Sequence, residues 1–237
     1  MAHAQFVLPF RDVDLTRLAE VGGKTASIGE LIRRLTPAGV QVPDGFAITS
    51  AAFRAHLAQN GADRAIYDEL ERVDVHDVGA VSRAGAFARD RVRALPLLPA
   101  LEREIVGAYE RLSLAYREAA TDVAVRSSAT AEDLPSASFA GQHESYLNVR
   151  GREHLLAAVR DCMSSLFTDR AIVYRAERGI PHRGVALTVA VQKMVRSDLA
   201  SAGVIFTLDT ESGHRGVVAI TGSWGLGESV VKGRVNP

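Results

Sequence analysis

Read as a pattern of apolar and polar positions, the chain opens with a short apolar run at Phe6 to Leu8, which predicts a strand, and a turn or short helix at Asp14 to Glu20, broken by Gly22-Gly23. Beyond the glycines, Ile28, Leu31, Ile32 and Leu35 recur at helical spacing, so a helix is predicted from Lys24 to Leu35 and stopped by Pro37 and Gly39. Gln41 to Thr49 places Pro43 and Gly45 ahead of Phe46-Ala47-Ile48 and reads as a turn feeding a short strand; Thr49 or Ser50 can cap the helix that carries Phe53 and Leu57. Residues 62–120 read as mostly helical, with Leu101, Ile105, Tyr109, Leu112 and Tyr116 along one side of a helix.

At Asp122 the texture changes. Val123-Ala124-Val125 predicts a strand that runs into a long loop of small and hydroxylated residues, Arg126 to Gln142. A strand at Tyr146 to Val149, helices from Arg152 to Glu177, and strands at Val185 to Val195, Ala202 to Leu208 and Val217 to Thr221 follow. In the first of those last three, Val189, Val191, Lys193 and Val195 alternate with Ala190, Gln192 and Met194, which puts Gln192 and Met194 together on one face. Helices dominate early and strands late, with strands interspersed, and that order predicts an α+β fold with more than one lobe.

Composition narrows the function classes. Of the 237 residues 47% are hydrophobic and 24% charged, an ordinary globular balance, and the formal net charge is zero, which supplies no general pull toward nucleic acid or an anionic membrane. The N-terminus has no secretory pattern and no apolar run is long enough to span a bilayer, so a cytoplasmic location is expected. The single cysteine, Cys162, falls on the apolar side of a predicted helix among Leu155, Val159, Met163 and Leu166, where it reads as a small buried hydrophobe. Only three of the 28 basic residues are lysines, Lys24, Lys193 and Lys232, which draws attention to Lys24. Any anion must be caught locally.

Gly22-Gly23-Lys24-Thr25 ends like a P-loop but is not one: position 18, where the pattern needs glycine, is Leu18, and the preceding segment reads as helix rather than buried strand. Two readings stay open: a phosphate site made of glycine backbone, helix N-terminus and the Lys24 ammonium, or a plain helix start with a surface lysine. The segment that begins at Arg126 adds a bidentate cation, the hydroxyls of Ser127, Ser128 and Thr130, and unhindered amides, a combination suited to phosphate oxygens; a serine-rich surface loop is the alternative. The seven histidines do not cluster at metal-ligand spacing.

These segments carry a resemblance. VGGKTASIGEL, VQVPDGFAIT, VRSSATAEDLPSASFAGQHESYLNV, VQKMVRSDLASAGVIFTLDTESG and WGLGESVVKGRVNP, in that order, resemble the N-terminal nucleotide-binding region of the phosphoenolpyruvate synthase family, whose relatives include pyruvate, phosphate dikinase and rifampicin phosphotransferase. His143 departs from the family's usual glutamine.

The resemblance implies an ATP-grasp fold, with a helix-rich first lobe over 1–194 and the start of a strand-rich second lobe over 195–237. It also implies ATP and Mg2+ as cofactors. The partners it implies are a phosphohistidine domain, which would receive the phosphoryl group on the way from pyruvate, ATP and water to phosphoenolpyruvate, AMP and phosphate, and a pyruvate-binding domain. By position it gives Lys24 and Arg126 the catalytic, triphosphate-binding role. It assigns ATP contacts further to Ser127, Ser128, Thr130, Gly141 and Gln142 in the closing loop, to Gln192 and Met194 against the base, and to Glu228 in the turn after Gly225 and Gly227. The family's metal ligands are expected beyond Pro237, so the chain alone is expected not to complete the reaction. A stand-alone ATP-binding module and a piece of an antibiotic phosphotransferase are the alternative readings.

Overall fold

The computed structural model describes residues 5–129, 133–134, 137–138 and 145–234, and within it the chain divides into two compact units, residues 1–194 and 195–237. Mixed helix and antiparallel sheet make the α+β class plain. Among the described residues no helix is long and apolar enough to cross a membrane.

The first unit is built on five strands: β1 (Val7–Pro9), β2 (Gly45–Ile48), β3 (Asp122–Ala129), β6 (Ser145–Arg150) and β7 (Leu187–Lys193), in the spatial order β1-β2-β7-β3-β6 with antiparallel neighbours throughout. Between β3 and β6, β4 (Asp133–Leu134) and β5 (Ala137–Ser138) pair with each other. Alternation sends neighbouring side chains to opposite faces. On one face Val7, Phe46, Ile48, Val123, Val125, Val189 and Val191 enter a large core with α3 (Ser50–Leu57), α4 (Ala62–Leu70), α5 (Val78–Ala94), α6 (Pro99–Ala115), α7 (Arg152–Ser164) and α8 (Asp169–Glu177). On the other, Leu8, Ala47 and Ala190 form a small cluster with Phe10, Val13, Val21 and Ala26, under α1 (Leu18–Val21) and α2 (Gly23–Leu35).

Local chemistry explains most of these elements. Thr49 caps α3 by accepting from the Ala52 N–H, Asp77 caps α5 through Ala80, and Thr168 caps α8 through Ala171. The expected stripe of α6 is buried at Leu101, Ile105, Tyr109 and Leu112, whereas Tyr116 lies one residue past its end. Cys162 is fully buried in α7.

One expectation is corrected here. Arg126 to Ser128 are not the start of a loop: β3 continues through Ala129 because β7 keeps pairing with it, Arg126 opposite Ala190, Ser127 opposite Val189 and Ser128 opposite Thr188. A ladder partner on β7 overrides the weak strand propensity of serine.

The second unit contains β8 (Ser201–Phe206) and β9 (Ala219–Trp224), an antiparallel pair with Ile205 opposite Ile220, followed by α9 (Glu228–Val231). The late strand therefore starts and ends a few residues beyond the predicted Val217 to Thr221.

Candidate functional site

The face of the sheet under α1 and α2 gathers most of the described candidates. On β3 it presents Ala124, Arg126 and Ser128, and on β7 Thr188, Ala190 and Gln192, in rows set by the register. The chain reaches this face at Gly22, which adopts φ +76. A Cβ there would sit 2.7 Å from Ser128 Oγ and 2.8 Å from Thr188 Oγ1, so the turn can seat itself on the two strands only as glycine. The Thr188 hydroxyl donates to the Val21 carbonyl at 2.8 Å, tying the end of α1 to β7, with the Ser128 carbonyl as a second, more distant acceptor at 3.1 Å.

From that seat α2 starts without a side-chain cap. Its first turn holds Lys24, exposed, and Thr25, whose buried hydroxyl has no hydrogen-bond partner among the described residues. The positive end of the helix dipole thus lies beside Ser128, with Lys24 in the same first turn. Gly29 lets α2 press onto the preceding turn: a Cβ there would come within 2.2 Å of the Val13 carbonyl oxygen.

Arg126, exposed, stands two residues before Ser128 on the same face of β3. Further along, Gln192 lies opposite both Ala124 and Gly45. Its Nε2 donates to the Pro43 carbonyl at 3.2 Å. Met194 is buried, and its N–H donates to the Asp122 carbonyl at 2.9 Å. Gly45 is required by closeness: a Cβ would meet the Val191 carbonyl oxygen at 2.1 Å and the Phe10 ring at 2.6 Å. From Thr188 to Gln192 the strand advances about 13 Å, so the glycine seat and the Gln192 position lie at opposite ends of one track with Arg126 between them.

Ser127 differs from its neighbours. Its side chain belongs to the opposite face, buried, where its hydroxyl accepts from Ser165 Oγ at 3.2 Å. Only its backbone is available on the side of Lys24. Thr130, Gly141 and Gln142 lie outside the described residues. Glu228 is in the second unit, at the first position of α9, exposed and ion-paired with Lys232; Lys232 holds its carboxyl below the usual range. Among the described residues no group of three or more His, Cys, Asp or Glu could hold a metal ion.

Sequence reasoning passed over Thr188 and Gly29 and took Gly45 only as part of a turn. A small residue directly before a strand, as in Pro43-Asp44-Gly45-Phe46, was the available signal for Gly45; Thr188 gave none, because a threonine in a strand is ordinary.

Comparison with known proteins follows the same segments. The family described as pyruvate phosphate dikinase, AMP/ATP-binding domain, matches residues 18–237. The phosphoenolpyruvate synthase of Escherichia coli is 52% identical over 231 residues, that of Helicobacter pylori 50% identical over 233 and that of Aquifex aeolicus 48% identical over 231; each comparison covers 98% of this chain. The chain spans 29%, 29% and 27% of the length of those relatives.

Proposed function

The chain belongs to the pyruvate phosphate dikinase AMP/ATP-binding domain family, and from that membership we propose that it is the ATP-binding part of a phosphoenolpyruvate synthase. In this reading residues 1–194 are the first lobe of an ATP-grasp fold and 195–237 begin the second. The whole enzyme would phosphorylate a histidine of a separate domain and carry pyruvate, ATP and water to phosphoenolpyruvate, AMP and phosphate.

The observation that carries the reading is the seating of Gly22 on Ser128 and Thr188, which brings the start of α2 to the strand that bears Arg126. The donor set suits a polyphosphate. Lys24 offers a mobile point charge, Arg126 a planar fork, and the first turn of α2 its dipole. These groups neutralise and align the phosphates, which is most of what phosphoryl transfer asks of a protein. At the far end Met194 supplies an apolar surface. Gln192, with its nitrogen on Pro43, keeps an oxygen to accept from the base. The described residues offer Mg2+ no cluster of ligands, and none is assigned to it.

Calorimetric titration of the chain with ATP, with and without Mg2+, tests the proposal. Saturable binding that Lys24→Ala and Arg126→Ala each weaken tenfold or more, roughly, supports it. Binding that neither substitution changes overturns the site.

A further inference from the structure

Lys193 lies on the face of β7 opposite Gln192 and Met194, yet it stands at the centre of a closed set of contacts around them. Its ammonium is 2.7 Å from Asp122 Oδ1 and 3.2 Å and 3.3 Å from the two Glu118 oxygens. It also sits 5.5 Å from the centre of the Tyr116 ring. Only 10% of the side chain is exposed. The Tyr116 hydroxyl accepts from the Asp44 N–H at 3.1 Å, and the Asp44 carbonyl accepts from the Lys193 N–H at 2.9 Å, which closes a ring through the ammonium, the aromatic ring, the turn and the strand. Arg11 holds the Asp44 carboxylate at 2.5 Å.

Each of these contacts ends on backbone beside the base-side residues. Asp122 gives its carboxylate to Lys193 and its carbonyl to the Met194 N–H. Asp44 follows Pro43, whose carbonyl takes the Gln192 amide. A half-buried ion pair with two carboxylates is an expensive way to secure stability alone, since a well-packed apolar set often does as well. Such pairs are better at holding a single geometry. Burial works against the ammonium, but hydrogen bonds and charge from Asp122 and Glu118 outweigh it and raise its pKa, so the clamp is charged at any physiological pH.

We propose that Lys193, through Asp122, Glu118 and Tyr116, is a positioning residue that fixes the Pro43–Asp44 turn against the end of β7 and thereby preorganises Gln192 and Met194 for the adenine base. The inference rests on the nucleotide-site reading above and adds a division of labour: Lys24 and Arg126 serve the phosphates, Lys193 serves the base without touching it.

The test separates the two ends of the ligand. The intact chain and its variants are titrated with ATP and with inorganic tripolyphosphate, and amide hydrogen exchange is followed at Lys193 and Met194 without ligand. Lys193→Ala is expected to weaken ATP about tenfold and tripolyphosphate less than about twofold. Lys24→Ala should weaken both. Lys193→Arg, which keeps a cation between the carboxylates, should recover most of the ATP affinity, and Tyr116→Phe should show a smaller loss confined to ATP. In the free protein Lys193→Ala should speed exchange at the two amides by about tenfold or more.

Equal loss of ATP and tripolyphosphate in Lys193→Ala would mean general loosening and overturn the proposal, as would unchanged exchange at the two amides. Should Lys193→Ala not fold, Tyr116→Phe decides by the same ligand comparison. A wild-type chain that binds neither ligand removes the nucleotide-site reading itself. Wild-type binding with a flat response at Lys193 removes only the clamp.

Discussion

The two faces of the five-stranded sheet are made by the same strands and differ in almost everything else. One face buries Phe46, Ile48, Val125, Val189 and Val191 under six helices. The other offers Gly45, Ala47, Ala124, Ala190, Ser128 and Thr188, with α1 and α2 over part of it. Large branched side chains on the first face interdigitate and exclude water, which is how a core gains its stability. Small and hydroxylated ones on the second let backbone come close, and close backbone is what seats Gly22 and brings the start of α2 to the sheet. In the proposed reading, stability and recognition are divided between faces by an alternation of period two.

Substitutions test that division, and the sharpest falls where the two tasks meet. Gly45→Ala would drive a methyl into the Val191 carbonyl, which backbone cannot yield to. We expect loss of soluble folded protein, or destabilisation by more than about 4 kcal/mol, measured by urea unfolding. On the packed face, Phe53→Ala empties a fully buried ring site and should cost about 3–5 kcal/mol, while any folded fraction binds ATP with unchanged affinity. A matching loss of intrinsic affinity there would contradict the separation of faces.

Lys24→Ala and Arg126→Ala should do the reverse, costing about 1.4 kcal/mol or more of ATP binding with the unfolding midpoint unmoved, since both side chains are exposed.

A smaller effect comes from the packed side. Arg175, almost fully buried, donates from Nε to His182 Nδ1 at 3.0 Å. Burial first and the Arg175 charge second press the His182 pKa down to about 4. Because the folded state resists protonation, stability is fully present above the ordinary imidazole range near pH 6.5 and is lost as the pH falls toward 4. Solvent reaching the partly exposed ring limits the loss to about 1 kcal/mol. Thermal unfolding of His182→Gln should lack this pH-dependent step, and an identical profile would remove the assignment. Least of all, Lys232→Ala breaks an exposed i,i+4 pair with Glu228 and should change stability and ATP affinity by under about 0.5 kcal/mol.

Much of the fold was legible in the sequence because its elements are announced locally. Periodicity marked α2 and α6, alternation sorted Val189 and Val191 from Ala190 and Gln192, and Thr49 advertised a cap. The glycine turn with Lys24 and the cation Arg126 were visible as residue types suited to phosphate. Arg126 to Ser128 were misread as loop because the evidence for strand lies on β7, some sixty residues away.

By itself, then, the sequence determined most of the segments that become helix or strand, the apolar faces of α6 and β7, and which cations have the chemistry for an anion. These depend on neighbours within a few residues, and short-range periodicity records them. Tertiary structure alone decided that Ser127 turns its hydroxyl to Ser165 while Ser128 meets Gly22, that Thr188 ties α1 to β7, and that the Lys193 N–H meets the carbonyl of Asp44, about 150 residues earlier. Such contacts depend on register between strands far apart in the chain, and a shift of one residue would reverse every face.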